Sequence, residues 1–153
     1  MNDDVNNMTE EEKKDFVRRH VDNIKQLENP SEAVQLAAVR HNATAIMHIK
    51  NPSLAVQIAA VRENGLVVRH IKNPSYKIQL AAVRQNWLAI TDIKNPSEAI
   101  QLEAIKQNPF AITYIQNPTP KVQVEVVKIK PQLIKRIKNP CEEAKIIAKI
   151  MEI

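Results

Sequence analysis

Residues 29–50 read NPSEAVQLAAVRHNATAIMHIK, residues 51–72 read NPSLAVQIAAVRENGLVVRHIK, and residues 73–94 read NPSYKIQLAAVRQNWLAITDIK. The three segments start on the same dipeptide and keep the same apolar positions. Asn-Pro recurs at Asn95, Asn117 and Asn139, so all six copies, from Asn29 onward, are 22 residues apart. Residues 95–116 continue the pattern closely, 117–138 drift to NPTPKVQVEVVKIKPQLIKRIK, and 139–153 stop partway. A fixed period of this length means a stack of supersecondary units, each burying its apolar face against the next.

Each unit reads as a long helix followed by a short one, α or 3₁₀. Asn29 fits a helix N-cap and Pro30 the first helical position, since proline lacks an N–H that a helix start leaves unused. Glu32, Glu98 and Glu142 stand three residues after their Asn and complete a capping-box pattern. Asn42, Asn64, Asn86 and Asn108 fall where a left-handed residue ends a helix, with Gly65, Pro109 and Pro131 in the next column. Small Ala38, Ala60, Ala82 and Ala104 let stacked helices approach closely.

Upstream, Thr9, Val17, Ile24 and Leu27 align with Ser31, Val39, Ile46 and Ile49 after a shift of one unit. Glu11, Glu12, Lys13 and Lys14 stand where later units are largely apolar, as a polar N-terminal cap requires. The reading is an all-α, right-handed solenoid: a flexible segment 1–8, then one domain over 9–153. That domain comprises a cap at 9–28, five full repeats at 29–138 and a truncated repeat at 139–153.

The units, with their Asn-Pro start, Ala-Ala-Val-Arg run and trailing apolar pair, resemble the leucine-rich repeat variant family. The stretches AAVRENGLVVRHIKNP and AAVRQNWLAITDIKNP also look like helical repeats of a domain of unknown function. HEAT-like repeats are nearest among longer units. The first resemblance implies an α-helix paired with a 3₁₀ helix in a right-handed superhelix. It implies a fold and no activity. That family's founding members carry a cysteine-rich iron–sulfur segment. Cys141 is the only cysteine here, so no such cofactor is implied.

Composition narrows the function. Only one glycine is present and aromatics are 3%, too few for a Gly-rich phosphate loop or an aromatic stacking platform. A single cysteine excludes an internal disulfide. The chain opens polar and acidic, without an apolar leader, and no apolar run approaches membrane-spanning length. The expectation is a cytoplasmic protein with no membrane contact. No nucleophile–base pair or clustered metal ligands appear, so no catalytic residue, cofactor site or metal site is assigned. His48 and His70 share a column in adjacent units, about 9–10 Å apart, too far to bind one metal together.

Two columns matter for binding. Gln35, Gln57, Gln79, Gln101 and Gln123 lie inside the apolar arc, where an amide must be hydrogen-bonded. They read as a ladder bonded to backbone of neighbouring units. A row of amides lining a groove is the alternative. Arg40, Arg62, Arg84, Lys106 and Lys128 lie in the last turn of each long helix. There they complement the helix C-terminus or form a basic stripe facing an anionic partner. Glu103 and Glu125 sit three residues before Lys106 and Lys128 and offset them. Tyr76 and Tyr114 are candidate anchors for a protein partner.

The expected function is therefore a non-catalytic scaffold that binds a protein or peptide along one face. Two alternatives stand beside it. One is nucleic-acid binding through the Arg/Lys column. Duplex DNA carries a charge every ~1.7 Å, against one per ~9–10 Å here, so the match is sparse. The other is self-association through the apolar C-terminal end, residues IIAKIMEI, where contact with a second copy competes with folding back onto the domain.

Overall fold

The computed structural model describes Val5 and residues 7–151. Most of the segment expected to be flexible, 1–8, lies outside these residues. The described elements alternate long α-helices with six-residue 3₁₀ helices. In order they are α1 (Glu10–Arg19), η1 (Val21–Gln26), α2 (Glu32–His41), η2 (Ala43–His48), α3 (Leu54–Glu63) and η3 (Gly65–His70). After them come α4 (Tyr76–Gln85), η4 (Trp87–Asp92), α5 (Glu98–Gln107), η5 (Pro109–Tyr114), α6 (Pro120–Ile129), η6 (Pro131–Arg136) and α7 (Glu142–Met151). Each α-helix packs on the next α-helix, and each 3₁₀ helix on the next 3₁₀ helix. The result is a two-layer α-solenoid with one unit per 22 residues, and 9–28 form its first unit in matching register.

The repeat is local chemistry copied along the chain. Asn29, Asn51, Asn73 and Asn95 take φ of 48–53°, the left-handed region that Asn tolerates better than other side chains. The following proline fixes its own φ and stiffens the turn. The helix is capped one residue later. Ser31 and Ser53 accept from Val34 N–H and Val56 N–H at 3.3 Å, and Thr119 accepts from Val122 N–H at 3.4 Å. This corrects the expected start. The N-cap is the Ser/Thr, helices begin at Glu32 rather than Pro30, and Glu32, Glu98 and Glu142 are not capping-box residues. A complete capping box occurs at Thr9 and Glu12. Its hydrogen bonds from Thr9 hold the Glu12 carboxyl below its ordinary range.

The helix-ending asparagines also differ from expectation. Asn42, Asn64, Asn86 and Asn108 have φ near −150° and ψ of 108–115°, extended rather than left-handed. Their N–H groups close the α-helix on Ala38, Ala60, Ala82 and Ala104 carbonyls at 2.8–3.0 Å. Their side-chain oxygens accept from the amide two residues on, each at 3.0 Å. One residue thus ends the α-helix and caps the 3₁₀ helix.

Between the layers lies a continuous apolar core. Val34, Ala38 and Val39, with their equivalents as far as Val122, Val126 and Val127, are buried, as are Ile46, Val68, Ile90 and Ile112. Gly65 serves close approach rather than helix termination. A Cβ there would lie 2.3 Å from the Ala82 carbonyl oxygen in the next unit. Gly65→Ala should therefore force the two units apart and cost about 1–3 kcal/mol, read as a lower urea midpoint. Equal stability of the variant would refute the close approach.

At the C-terminal end, Ile146 and Ile150 of α7 are 57% and 64% exposed. The inner side of this helix packs on the domain, with Ala144 and Ala148 buried and Ile147 resting on the core, and the exposed isoleucines lie on its outer side. Among the described residues no helix is long and apolar enough to cross a membrane.

Candidate functional site

Residues four apart on a helix share a face. On the outward face of the long helices the lines are Glu32–Leu36–Arg40, Leu54–Ile58–Arg62, Tyr76–Leu80–Arg84 and Glu98–Leu102–Lys106. Leu36, Ile58, Leu80 and Leu102 are half-buried and rest on the core, with Ala37, Ala59 and Ala81 beside them. The cations beyond them are exposed. Stacking converts these lines into two stripes, one apolar and one basic. The centre of the face is the most apolar part, because Leu54 and Tyr76, 48% and 51% exposed, replace the glutamates of the flanking units. Between α1 and α2 the surface sinks into a groove of about 480 Å³, floored by Ala33, Leu36 and Ala37 and edged by Lys14, Arg18 and Arg40.

Charge pairing across this face departs from the expected pattern. Glu103 lies 3.3 Å from Arg84 Nε in the preceding unit, so it serves Arg84 and leaves Lys106 without an ion pair. Lys128 is paired with Glu125 at 3.0 Å, as expected. Among the described residues Arg40, Arg62 and Lys106 make neither an ion pair nor a hydrogen bond. Arg40 and Arg62 therefore do not bond their own helix ends. Tyr114 stands apart from this face, on η5, where its ring meets Trp87 at 6.0 Å between centroids.

The glutamine column bonds backbone, with a correction to its expected partners. Gln35, Gln57, Gln79, Gln101 and Gln123 each donate through Nε2 to the proline carbonyl of their own Asn-Pro turn, at 2.8–3.0 Å. The contact between units is made by the oxygen. Gln101 Oε1 accepts from Thr119 N–H at 3.3 Å and Gln123 Oε1 from Cys141 N–H at 2.7 Å. A second set of amides was missed. Gln85 Oε1 accepts from Gly65 N–H at 2.7 Å, and Gln107 Nε2 donates to the Val83 carbonyl at 2.6 Å. Their shared column was the available signal.

Further contacts fix neighbouring units. Ser31 and Thr119 hydroxyls donate to Glu10 and Glu98 carboxylates of the preceding unit, both at 2.7 Å. Arg69 and Asp92 approach to 3.0 Å. His48 Nε2 lies 3.4 Å from Asp22. Its pKa is nevertheless held below the usual value, first by burial and then by the Lys25 charge, which together outweigh the Asp22 attraction. Among the described residues no group of three or more His, Cys, Asp or Glu is placed to hold a metal ion.

The Asn-Pro edge carries two more concavities, of about 640 and 630 Å³, one lined by residues 90–96, 101 and 114–117 and the other by 112, 113, 115–118, 123 and 136–139. No family model, curated protein or solved structure matches the chain.

Proposed function

We propose that the chain is a non-catalytic, cytoplasmic repeat scaffold that binds an acidic segment of a partner protein along the face of its long helices. The observation that carries this reading is the pairing, unit after unit, of a half-buried apolar side chain with an exposed cation. Stacking does not need Arg40, Arg62 or Lys106, which bond nothing among the described residues. Leu54 and Tyr76 supply a central apolar anchor, and Glu32 and Glu98 a polar rim, the anatomy of a protein-binding patch. The resemblance to leucine-rich repeat variant units belongs to the same proposal.

A phosphate strand would use the cations and leave the apolar stripe idle. The test is the triple variant Arg40→Ala, Arg62→Ala, Arg84→Ala, with a labelled peptide of mixed glutamate and leucine as probe. Helix content should stay unchanged by circular dichroism, and affinity should fall at least about tenfold, equivalent to about 1.4 kcal/mol. Unchanged affinity contradicts the proposal. Oligonucleotide binding with a log–log salt slope of about −0.9 per phosphate contacted, and no peptide binding, would favour the nucleic-acid alternative.

A further inference from the structure

The two grooves on the Asn-Pro edge are copies of one another. A shift of one unit carries Thr91 onto Thr113, Asn95 onto Asn117, Pro96 onto Pro118 and Gln101 onto Gln123, and each of these residues lines its groove. Both floors are closed chemically, because Gln101 and Gln123 spend both ends of their amides on backbone. The rims are not. The side chains of Asn95, Gln116, Asn117 and Asn139 are exposed and make no hydrogen bond among the described residues.

Asparagine at four of the six Asn-Pro turns is explained by its left-handed backbone. Asn117 and Asn139 are outside that region, so local conformation does not demand asparagine there. Both border the second groove. Arg136 and Lys138 line it too, exposed and, among the described residues, without an ion pair and with no carboxylate beside them in the lining. In the first groove Asp92 is already matched by Arg69, and Lys94 lines the wall. A carboxamide offers one donor face and one acceptor face, the complement of a peptide group.

Spacing selects the shape of the guest. Stacked units are about 8–10 Å apart. A β-strand presents the same face every ~6.7 Å, whereas a polyproline II helix does so every ~9.3 Å and leaves its own peptide groups unpaired. We propose that this edge binds an extended acidic polypeptide segment in the polyproline II conformation, one turn per unit. Asn117 and Asn139 pair with its peptide groups, and Arg136 with Lys138 hold a carboxylate in the second groove. This site is separate from the long-helix face and does not depend on it.

The experiment titrates a fluorescein-labelled peptide of about twelve residues, built from Glu-Pro-Ala triplets, with the full chain and follows anisotropy. Saturable binding with Kd below about 1 mM is expected. Asn117→Ala with Asn139→Ala, and separately Arg136→Gln with Lys138→Gln, should each weaken it at least about tenfold without lowering the melting temperature. The Arg40, Arg62, Arg84 alanine variant should bind as tightly as the unmodified chain. Absence of saturable binding overturns the proposal, as does equal binding of a Lys-Pro-Ala peptide or full affinity in both groove variants. Loss of binding only in the triple arginine variant would also overturn it, and would place the peptide on the long-helix face instead.

Discussion

Ile100→Ala is expected to lower stability by about 2–5 kcal/mol. Ile100 lies on α5 and is fully buried. Its helix is packed between α4 and α6 and against η4 and η5. In a stack, stability is a sum of unit terms and nearest-neighbour interfaces, so a hole in an interior unit weakens both of its interfaces. At about 2–4 °C per kcal/mol for a chain of this size, the melting temperature should fall by several degrees or more, with a matching drop in the urea midpoint. Ile150→Ala, on the exposed side of α7, should change either quantity by less than about 0.5 kcal/mol. Similar effects from both substitutions would refute the assigned core.

The second large effect is expected at Gln101. Its side chain is 4% exposed and holds two backbone groups at once, the Pro96 carbonyl and the Thr119 N–H. Gln101→Ala leaves both without their partner in a site water reaches poorly. An unsatisfied buried group costs about 1–3 kcal/mol, so a total loss of about 2–4 kcal/mol is expected from denaturant melts. Gln35→Ala makes the comparison. Gln35 bonds Pro30 in the same way but is only half-buried, so water replaces part of the lost bond and the cost should be about 0.5–1.5 kcal/mol. If Gln101→Ala proves as mild as Gln35→Ala, the amide is not a clasp between units.

The period of 22 carries most of the fold, because identical units have one economical way to bury identical apolar stripes. The N-terminal unit was legible from the alignment of Thr9, Val17 and Ile24 with later columns. The two asparagine columns were read in exchanged roles. Asn is favoured both at helix caps and in left-handed turns, so residue type alone does not separate Asn29 from Asn42. The discriminating sign was Ser31, Ser53, Ser75, Ser97 and Thr119, a column of good capping residues two places after five of the six Asn-Pro asparagines.

The basic column was visible in sequence as a column. Its pairing was not. Arg84 finds Glu103 across a unit boundary, and that offset depends on how helices slide past one another. Leu36, Ile58 and Leu80 belong to the apolar pattern of each unit, and only their partial exposure reveals a stripe beside the cations. The Asn-Pro grooves were invisible for the same reason, since they are spaces between units and belong to no single motif.

Everything functional rests on equivalent positions forming straight lines across the stack. Electron–electron spin resonance between nitroxides at positions 40 and 106, in a Cys141→Ser background, measures that directly. Three unit steps give a single narrow distance near 24–30 Å, taking about 8–10 Å per stacked helix. A broad distribution, or a distance well beyond about 40 Å, would contradict the stack and the stripes built on it.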